Sequence, residues 1–279
     1  RWQGTLAATR ESTERSQAAI VRLCKEGLTP SLIVTLHRGN ATAEHLPALC
    51  DWLRDLDRMG VQNARLHLLE VDEQNIRDKY ALAAGDNVRA LLCLSRLESE
   101  LSRLRFDLFR EIENLLLARD NQSTCVWRAC DPFTTEAVRI EGHGQRSNCG
   151  RTNKDGIDFT KSDTPGYERY LALYHTPQSV GGCKGCRFFL QCKGQCPGTS
   201  ISGDWRNRTE HCAEWKALFR DAEDKLLDRG ATPISVQPNR VYLEAAMLRA
   251  WTEGRNPSVQ DTLAQMVAAH QKSASGAAS

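Results

Sequence analysis

The sequence lacks a long apolar run, and it lacks a charge excess of either sign. The longest apolar stretches, such as Ser31–Leu36 and Leu115–Ala118, have the length of a strand or of one helical turn, which is too short to span a membrane. The formal net charge is +2, and basic residues are interleaved with acidic ones, so there is no basic tract of the kind that binds nucleic acid. These absences argue against a membrane or nucleic-acid partner.

The composition that remains is that of a globular protein. The chain has 279 residues, of which 41% are hydrophobic and 26% charged, enough to bury a core in one large or two ordinary domains. Eleven cysteines are present, and eight of them fall between Cys125 and Cys212. An odd total with motif-like spacing disfavours a secreted disulfide framework, so we expect a reducing, cytoplasmic location.

Helical and strand patterns alternate in the N-terminal part. Apolar residues recur at helical spacing over Glu11–Lys25 and Ala43–Met59, and a glycine that suits a helix C-cap follows each segment. The runs Ser31–His37 and Ala64–Val71 are short and apolar, as buried strands are. Parallel strands require crossover helices, so this order predicts an α/β fold.

The composition changes near Asp120. Before it, leucines at helical spacing predict one long or two shorter helices over Asp78–Arg119. After it, Cys, Gly, Asn, Thr and Pro dominate without periodicity to about Arg208, and helical spacing returns over 213–229 and 240–253. We therefore predict three regions, 1–120, 121–228 and 229–279, the last being a helical extension with a disordered tail from Ser273.

The loop-rich region carries the strongest motif. Its small apolar content cannot offset its ordering entropy, so we expect metals or cross-links to hold it together. A two-residue spacer between thiolates lets a tight turn aim both sulfurs at one metal. The cysteines form the run Cys183-x2-Cys186-x5-Cys192-x3-Cys196, with Cys212 downstream and Cys125, Cys130 and Cys149 upstream.

Three interpretations compete for these eight thiols. Structural zinc sites commonly use two CxxC pairs, but only Cys183 and Cys186 form such a pair here. Iron–sulfur clusters also accept all-thiolate ligation and use closely spaced runs of four cysteines. Buried unliganded thiols are the usual state of a single cysteine, yet they do not suit eight in one polar segment. The spacing favours iron–sulfur clusters and leaves zinc open.

The cysteine spacing resembles the SPASM domain, which lies on the C-terminal side of radical S-adenosylmethionine enzymes. That family's pattern is Cys, nine to fifteen residues, Gly, four residues, Cys, a gap, Cys-x2-Cys-x5-Cys-x3-Cys, a second gap and a last Cys. Here thirteen residues separate Cys130 from Gly144, four separate Gly144 from Cys149, and the later intervals also fit. Cys125 is similar to the additional upstream ligand of members with two fully ligated clusters.

The resemblance implies two auxiliary [4Fe–4S] clusters in region 121–228. The ligands of the first cluster would be Cys125, Cys130, Cys149 and Cys196. The ligands of the second would be Cys183, Cys186, Cys192 and Cys212.

A less specific resemblance reaches upstream. The segment Pro30–Asn40 and the helix and strand after it are similar to the later strands of the partial β/α barrel in these enzymes. The implied fold is therefore the C-terminal part of such a barrel over 1–120, then the cysteine-rich iron–sulfur domain and C-terminal helices. Relatives place S-adenosylmethionine contacts at these strand ends, which implies that role for Arg38, Asn40 and His67. A surface ion pair for Arg38 and a core position for His67 are the alternatives.

One departure from the family is large. The Cys-x3-Cys-x2-Cys loop that binds the catalytic cluster is absent from the 279 residues, and Cys24, Cys50 and Cys93 are too dispersed to replace it. We therefore expect the chain to be the C-terminal portion of a longer enzyme, or else a protein that kept only the cluster-bearing half. The sequence assigns no catalytic residue.

The function that the resemblance implies is radical modification of a peptide or protein, by cross-linking, thioether formation, epimerisation or oxidation. The intact enzyme would use S-adenosylmethionine and a third [4Fe–4S] cluster, and a flavodoxin or ferredoxin would donate electrons. Some sulfatase-maturing members have Asp after the cysteine that matches Cys149, and Gly150 disfavours that subgroup. The competing hypothesis is a zinc-stabilised interaction module without catalysis.

Overall fold

The protein forms two compact units, Arg1–Arg110 and Glu111–Ser279, called here the first and second unit. The computed structural model describes residues 4–71, 73–121, 123, 127, 139–140, 142–144, 146–147, 149, 151 and 166–276. The predicted regions 1–120, 121–228 and 229–279 are functional divisions, and they stay predictions.

A parallel sheet of three strands lies in the first unit. Its order is β1 (Ser31–Leu36), β2 (Asn63–Leu68) and β3 (Arg105–Phe106). Alternate residues of β1 and β2 are buried on one face of the sheet, as a period of two requires. The predicted α/β class is confirmed at this level, with both long strands close to their expected positions.

The helices of the first unit follow the leucine pattern. They are α1 (Leu6–Lys25), α2 (Leu46–Met59), α3 (Gln74–Tyr80), α4 (Ala84–Glu100) and α5 (Asp107–Leu116), of which α5 crosses into the second unit. The helix α2 buries four leucines at helical spacing and ends at Gly60, whose φ of 99° is left-handed. The sequence predicted this C-cap.

Of the one long or two shorter helices predicted over Asp78–Arg119, the single long helix is wrong, because α4 and α5 are separate helices. The chain leaves the helical path after α4, and the short strand β3 follows. The Asp57 carboxylate accepts the backbone N–H groups of Ser102, Arg103 and Leu104, at 3.2, 2.6 and 2.7 Å. Since a side chain from α2 supplies the acceptors that a continuing helix would provide, this tertiary contact overrides the leucine spacing.

The Asp57 contact makes the stability of the first unit pH-dependent. Burial alone would raise the pKa of Asp57, but the three N–H groups outweigh burial and hold the pKa below its ordinary value. A carboxylate whose pKa is lower in the folded than in the unfolded protein stabilises the folded state at pH values above its unfolded pKa. This contribution disappears as the pH falls through the folded pKa. We expect Asp57→Asn to lower the free energy of unfolding by about 1 kcal/mol at neutral pH, and by less below about pH 4.

Urea unfolding of both proteins between neutral and acidic pH measures this difference. Asp55→Asn is the control, because Asp55 pairs with Arg58 on the exposed face of the same helix and such pairs contribute little. If Asp57→Asn lost the same unfolding free energy at neutral and at acidic pH, the result would contradict the assignment.

The second unit is built mainly from helices. They are α6 (Glu168–His175), α7 (Phe189–Cys192), α8 (Cys212–Asp228), α9 (Arg240–Thr252) and α10 (Val259–Gly276). The helices predicted over 213–229 and 240–253 are confirmed as α8 and α9, and α10 lies in the predicted helical extension, whereas α6 and α7 lie in the segment predicted to be loop-rich. The helix α10 continues past Ser273, where the sequence predicts a disordered tail. Within the described residues, no helix combines enough length and hydrophobicity to cross a bilayer.

An aromatic core joins the cysteine loop to these helices. The Trp251 ring of α9 lies 5.1 Å from the ring of Tyr170 in α6 and 6.0 Å from that of Phe189 in α7, measured between centroids. All three side chains are fully buried. Aromatic rings bury a large area each and therefore contribute much of the stability of a small core. Their packing holds α7, which ends in Cys192, in place.

Candidate metal centre

Four cysteine side chains line one cavity in the second unit. They are Cys183, Cys186, Cys192 and Cys212. The first three lie in the loop and short helix that follow α6, whereas the fourth is the first residue of α8. The fold therefore brings the start of a later helix to the thiols of an earlier loop.

Aromatic rings and basic side chains complete the cavity wall. Phe188 and Phe219 are buried, and their rings stack with centroids 5.3 Å apart. Arg208 and Lys216 also line the cavity. Apolar walls keep water out, and positive charge favours an anionic group in the enclosed space.

Backbone hydrogen bonds hold the CxxC pair in a tight turn. The Cys186 N–H donates to the Cys183 carbonyl over 2.9 Å, and the Cys183 N–H donates to the Leu173 carbonyl of α6 over 2.7 Å. The turn is thus attached to the C-terminal end of α6, and both thiols line the cavity.

The chain reverses direction directly after Cys192. Lys193 and Gln195 are buried and have left-handed backbone, with φ of 49° and 61°. Such a conformation costs a non-glycine residue roughly 1 kcal/mol or more. Gly194 lies between them with φ of 72°, and a Cβ there would meet the Leu173 side chain at 2.5 Å. Neighbouring groups therefore impose this local path on the segment.

A buried arginine that the sequence did not single out supplies much of that support. Arg169 of α6 is only 1% exposed, and its guanidinium donates four hydrogen bonds to backbone carbonyls at 2.6 to 3.3 Å. These carbonyls belong to Lys193, Gly194, Trp205 and Asn207. One side chain thereby ties the loop after Cys192 to the loop before Cys212. No spacing rule indicates it, because its partners are backbone groups distant in sequence.

The four thiols influence one another electrostatically. Burial, and after it the nearby Cys186 and Cys212, raise the pKa of Cys183 to about 12, and Arg169 and Arg208 oppose the shift. Burial and the other three thiols raise the pKa of Cys192 well above its ordinary value. Without a bound cation the thiols of Cys183 and Cys192 stay protonated, and a metal that binds them must displace their protons.

Only two of the other four predicted ligands, Cys149 and Cys196, lie in the described residues. Cys196 is half-buried just before a single 3-10 turn, and it is outside the set that lines the cavity. Cys149 is exposed. Cys125 and Cys130 lie outside the described residues. The first predicted ligand set therefore stays a prediction.

The donor chemistry of the cavity fits a soft metal group. In the parts of the chain that are described, no three His, Cys, Asp or Glu side chains form a set that could hold a single metal ion as they stand. All four candidate donors are thiols, which suit zinc or iron–sulfur clusters. The basic wall also fits, because four thiolates leave either group with net negative charge.

The residues expected on the S-adenosylmethionine side follow β1 and lie on β2. The Asn40 amide donates to the Thr35 carbonyl over 2.9 Å and so closes the loop at the end of β1. Arg38 is exposed, and its Nε donates to the Ala81 carbonyl over 2.7 Å. His67 is partly buried and stands opposite Thr35 in the parallel register. The structure gives Asn40 and Arg38 local hydrogen bonds, and the ligand contacts stay predictions.

The turn before Cys183 tolerates no side chain at Gly182. A Cβ there would collide with the Thr176 backbone carbonyl at the end of α6. We expect Gly182→Ala to lower the free energy of unfolding by about 1–3 kcal/mol, because the backbone must shift to admit the methyl group. Urea unfolding followed by circular dichroism measures the loss.

The matched control is Gly85→Ala in α4. A Cβ at Gly85 meets no atom within 4 Å, and alanine favours a helix over glycine by about 1 kcal/mol. This variant should be as stable as the parent or more so. Equal effects of the two substitutions would contradict the close approach at Gly182.

Comparison with known proteins adds no relative to this description. No protein-family model, curated protein or solved structure matches the chain.

Proposed function

We propose that the cavity holds an iron–sulfur cluster and that the protein belongs to the machinery of radical S-adenosylmethionine chemistry on a peptide or protein. One observation carries the proposal. The four cysteines that line the cavity are the four that the family resemblance assigns to the second auxiliary cluster.

This agreement is informative because local spacing suggests a different set. Cys196 is only four residues beyond Cys192, whereas Cys212 is twenty residues beyond it. A grouping by proximity in sequence would therefore take Cys196 as the fourth ligand. Cys212 lines the cavity and Cys196 is not among the described lining residues, which supports the interleaved assignment.

The surroundings favour an iron–sulfur cluster. A bound [4Fe–4S] cluster would supply one-electron transfer, over a potential range set by burial, charge and hydrogen bonds. Phe188 and Phe219 keep the space apolar, and Arg208 and Lys216 place positive charge at its wall. Zinc is the second candidate, since all-thiolate ligation also suits it. Its usual pair of CxxC turns is not present, because only Cys183 and Cys186 have that spacing.

The wider enzymatic role rests on the resemblance. It includes a first auxiliary cluster, the fold of a partial β/α barrel, and electron supply from a flavodoxin or ferredoxin. The parallel strands β1 to β3 are compatible with a piece of such a barrel. The catalytic cluster and S-adenosylmethionine would act in the intact enzyme, and this chain would contribute the auxiliary-cluster side that faces a peptide substrate.

Metal and sulfide analysis of protein purified and reconstituted without oxygen tests the proposal. We expect a brown protein with roughly eight iron and eight sulfide per chain when both sites are filled. Cys192→Ala should lose about half of each, since a cluster needs its ligands. Cys24→Ala is the control and should lose none, because Cys24 is on α1 in the first unit. Stoichiometric zinc without sulfide would contradict the proposal and support the zinc module.

Paired substitutions test which cysteines share a cluster. Cys192→Ala with Cys212→Ala removes two ligands of one proposed set, so roughly four iron per chain should remain. Cys192→Ala with Cys196→Ala removes one ligand from each set, so almost none should remain. The opposite ranking of the two double variants would mean that Cys196, and not Cys212, completes the cavity site.

A further inference from the structure

Arg208 is a basic residue in the wall of the thiol cavity. It lines the cavity together with the four cysteines. Its positive charge also opposes the rise in the pKa of Cys183, which places the guanidinium within electrostatic reach of that sulfur. Arg208 is the fourth residue before Cys212 and belongs to the loop that Arg169 holds.

Backbone carbonyls hold the Arg208 guanidinium at its Nη1 atom. Its Nη1 donates to the Gln178 carbonyl over 2.7 Å and to the Gly182 carbonyl over 2.8 Å, and its backbone N–H donates to the Gly181 carbonyl over 2.8 Å. These bonds attach Arg208 to the turn that precedes Cys183. The group therefore keeps one orientation relative to the cavity.

One buried donor of Arg208, the Nε–H, has no partner in the described part of the protein. A buried N–H without an acceptor is costly, especially when the donor is charged, so native proteins rarely leave one unpaired. Lys216, the other basic residue of the wall, differs because its Nζ donates to the Gln178 side-chain oxygen over 2.5 Å.

We propose that the Nε–H of Arg208 donates a hydrogen bond to a sulfur atom of the metal–sulfur group held by the four cysteines, and thereby raises the reduction potential of that group. This inference rests on the proposed function. Reduction adds negative charge to a group that is already anionic, so an N–H donor and a fixed positive charge stabilise the reduced form more than the oxidised form.

Redox titration of the reconstituted full chain, followed by its absorption and electron paramagnetic resonance spectra, measures the effect. In Arg208→Met one of the two cluster potentials should become more negative. We expect at least a tenfold fall in the ratio of reduced to oxidised cluster at the wild-type midpoint, equivalent to about 59 mV for a one-electron couple. Arg208→Lys keeps the charge without the Nε donor and should give a smaller shift in the same direction.

Arg206→Met is the matched control. Arg206 is two residues away, is exposed, and forms an ion pair with Asp204 at 2.7 Å instead of lining the cavity. The cluster reduction potentials of Arg206→Met should equal those of the wild type. A shift in Arg206→Met as large as that in Arg208→Met would assign the effect to general surface charge and overturn the inference.

A second measurement needs no substitution. Pulsed electron paramagnetic resonance of reduced wild-type protein labelled with ¹⁵N-arginine should detect one nitrogen coupled to the cluster spin, and the coupling should vanish in Arg208→Lys. Absence of arginine coupling in the wild type overturns the inference even when Arg208→Met does not fold.

Metal analysis separates this inference from the proposed function. Wild-type protein without iron and sulfide overturns the proposed function itself. Wild-type protein that contains iron and sulfide, but whose potentials are unchanged by Arg208→Met, overturns the role of Arg208 alone.

Discussion

A single buried cation organises the loops that carry the cysteines. Arg169 is almost fully enclosed, and its guanidinium is satisfied by backbone carbonyls from two separate loops. Burying such a charge without these acceptors would be very unfavourable, so the loops must keep their carbonyls in place once α6 has formed. The separation between the loop after Cys192 and the loop before Cys212 is thereby set by a residue that is not itself a candidate ligand.

The cavity contains both buried thiols and a buried cationic donor that lacks an acceptor in the described residues. The thiols of Cys183 and Cys192 are protonated when no cation is present, since burial and the neighbouring thiols raise their pKa values. The cavity wall nevertheless contains Arg208, with a buried donor that no described group satisfies. A metal–thiolate group would account for both features, because its cation would replace the thiol protons and its anionic sulfurs would attract the arginine. Burial, charge and hydrogen bonding therefore favour the same class of occupant.

The first unit shows how one side chain can redirect a strong local pattern. Helical leucine spacing continues through Leu101 and Leu104 and does not distinguish one long helix from two shorter ones, and both leucines are buried. The chain nevertheless turns there to form β3, because the carboxylate of Asp57 accepts the N–H groups that the next helical turn would use. Periodicity reports which residues are buried, whereas the backbone path depends on acceptors that lie far away in sequence.

The sequence alone determined the α/β class, the long strands, most of the major helices and the candidate ligands, because hydrophobic period and cysteine spacing are local properties. The assignment of the ligands to two sets came from the family resemblance, and for Cys125, Cys130, Cys149 and Cys196 it still rests there. The tertiary structure places Cys212 and Cys192 at one cavity, in agreement with that assignment, and it alone revealed the support from Arg169 and Arg208. Hydrogen bonds to distant carbonyls and the meeting of a loop with a later helix leave no periodic trace in a sequence.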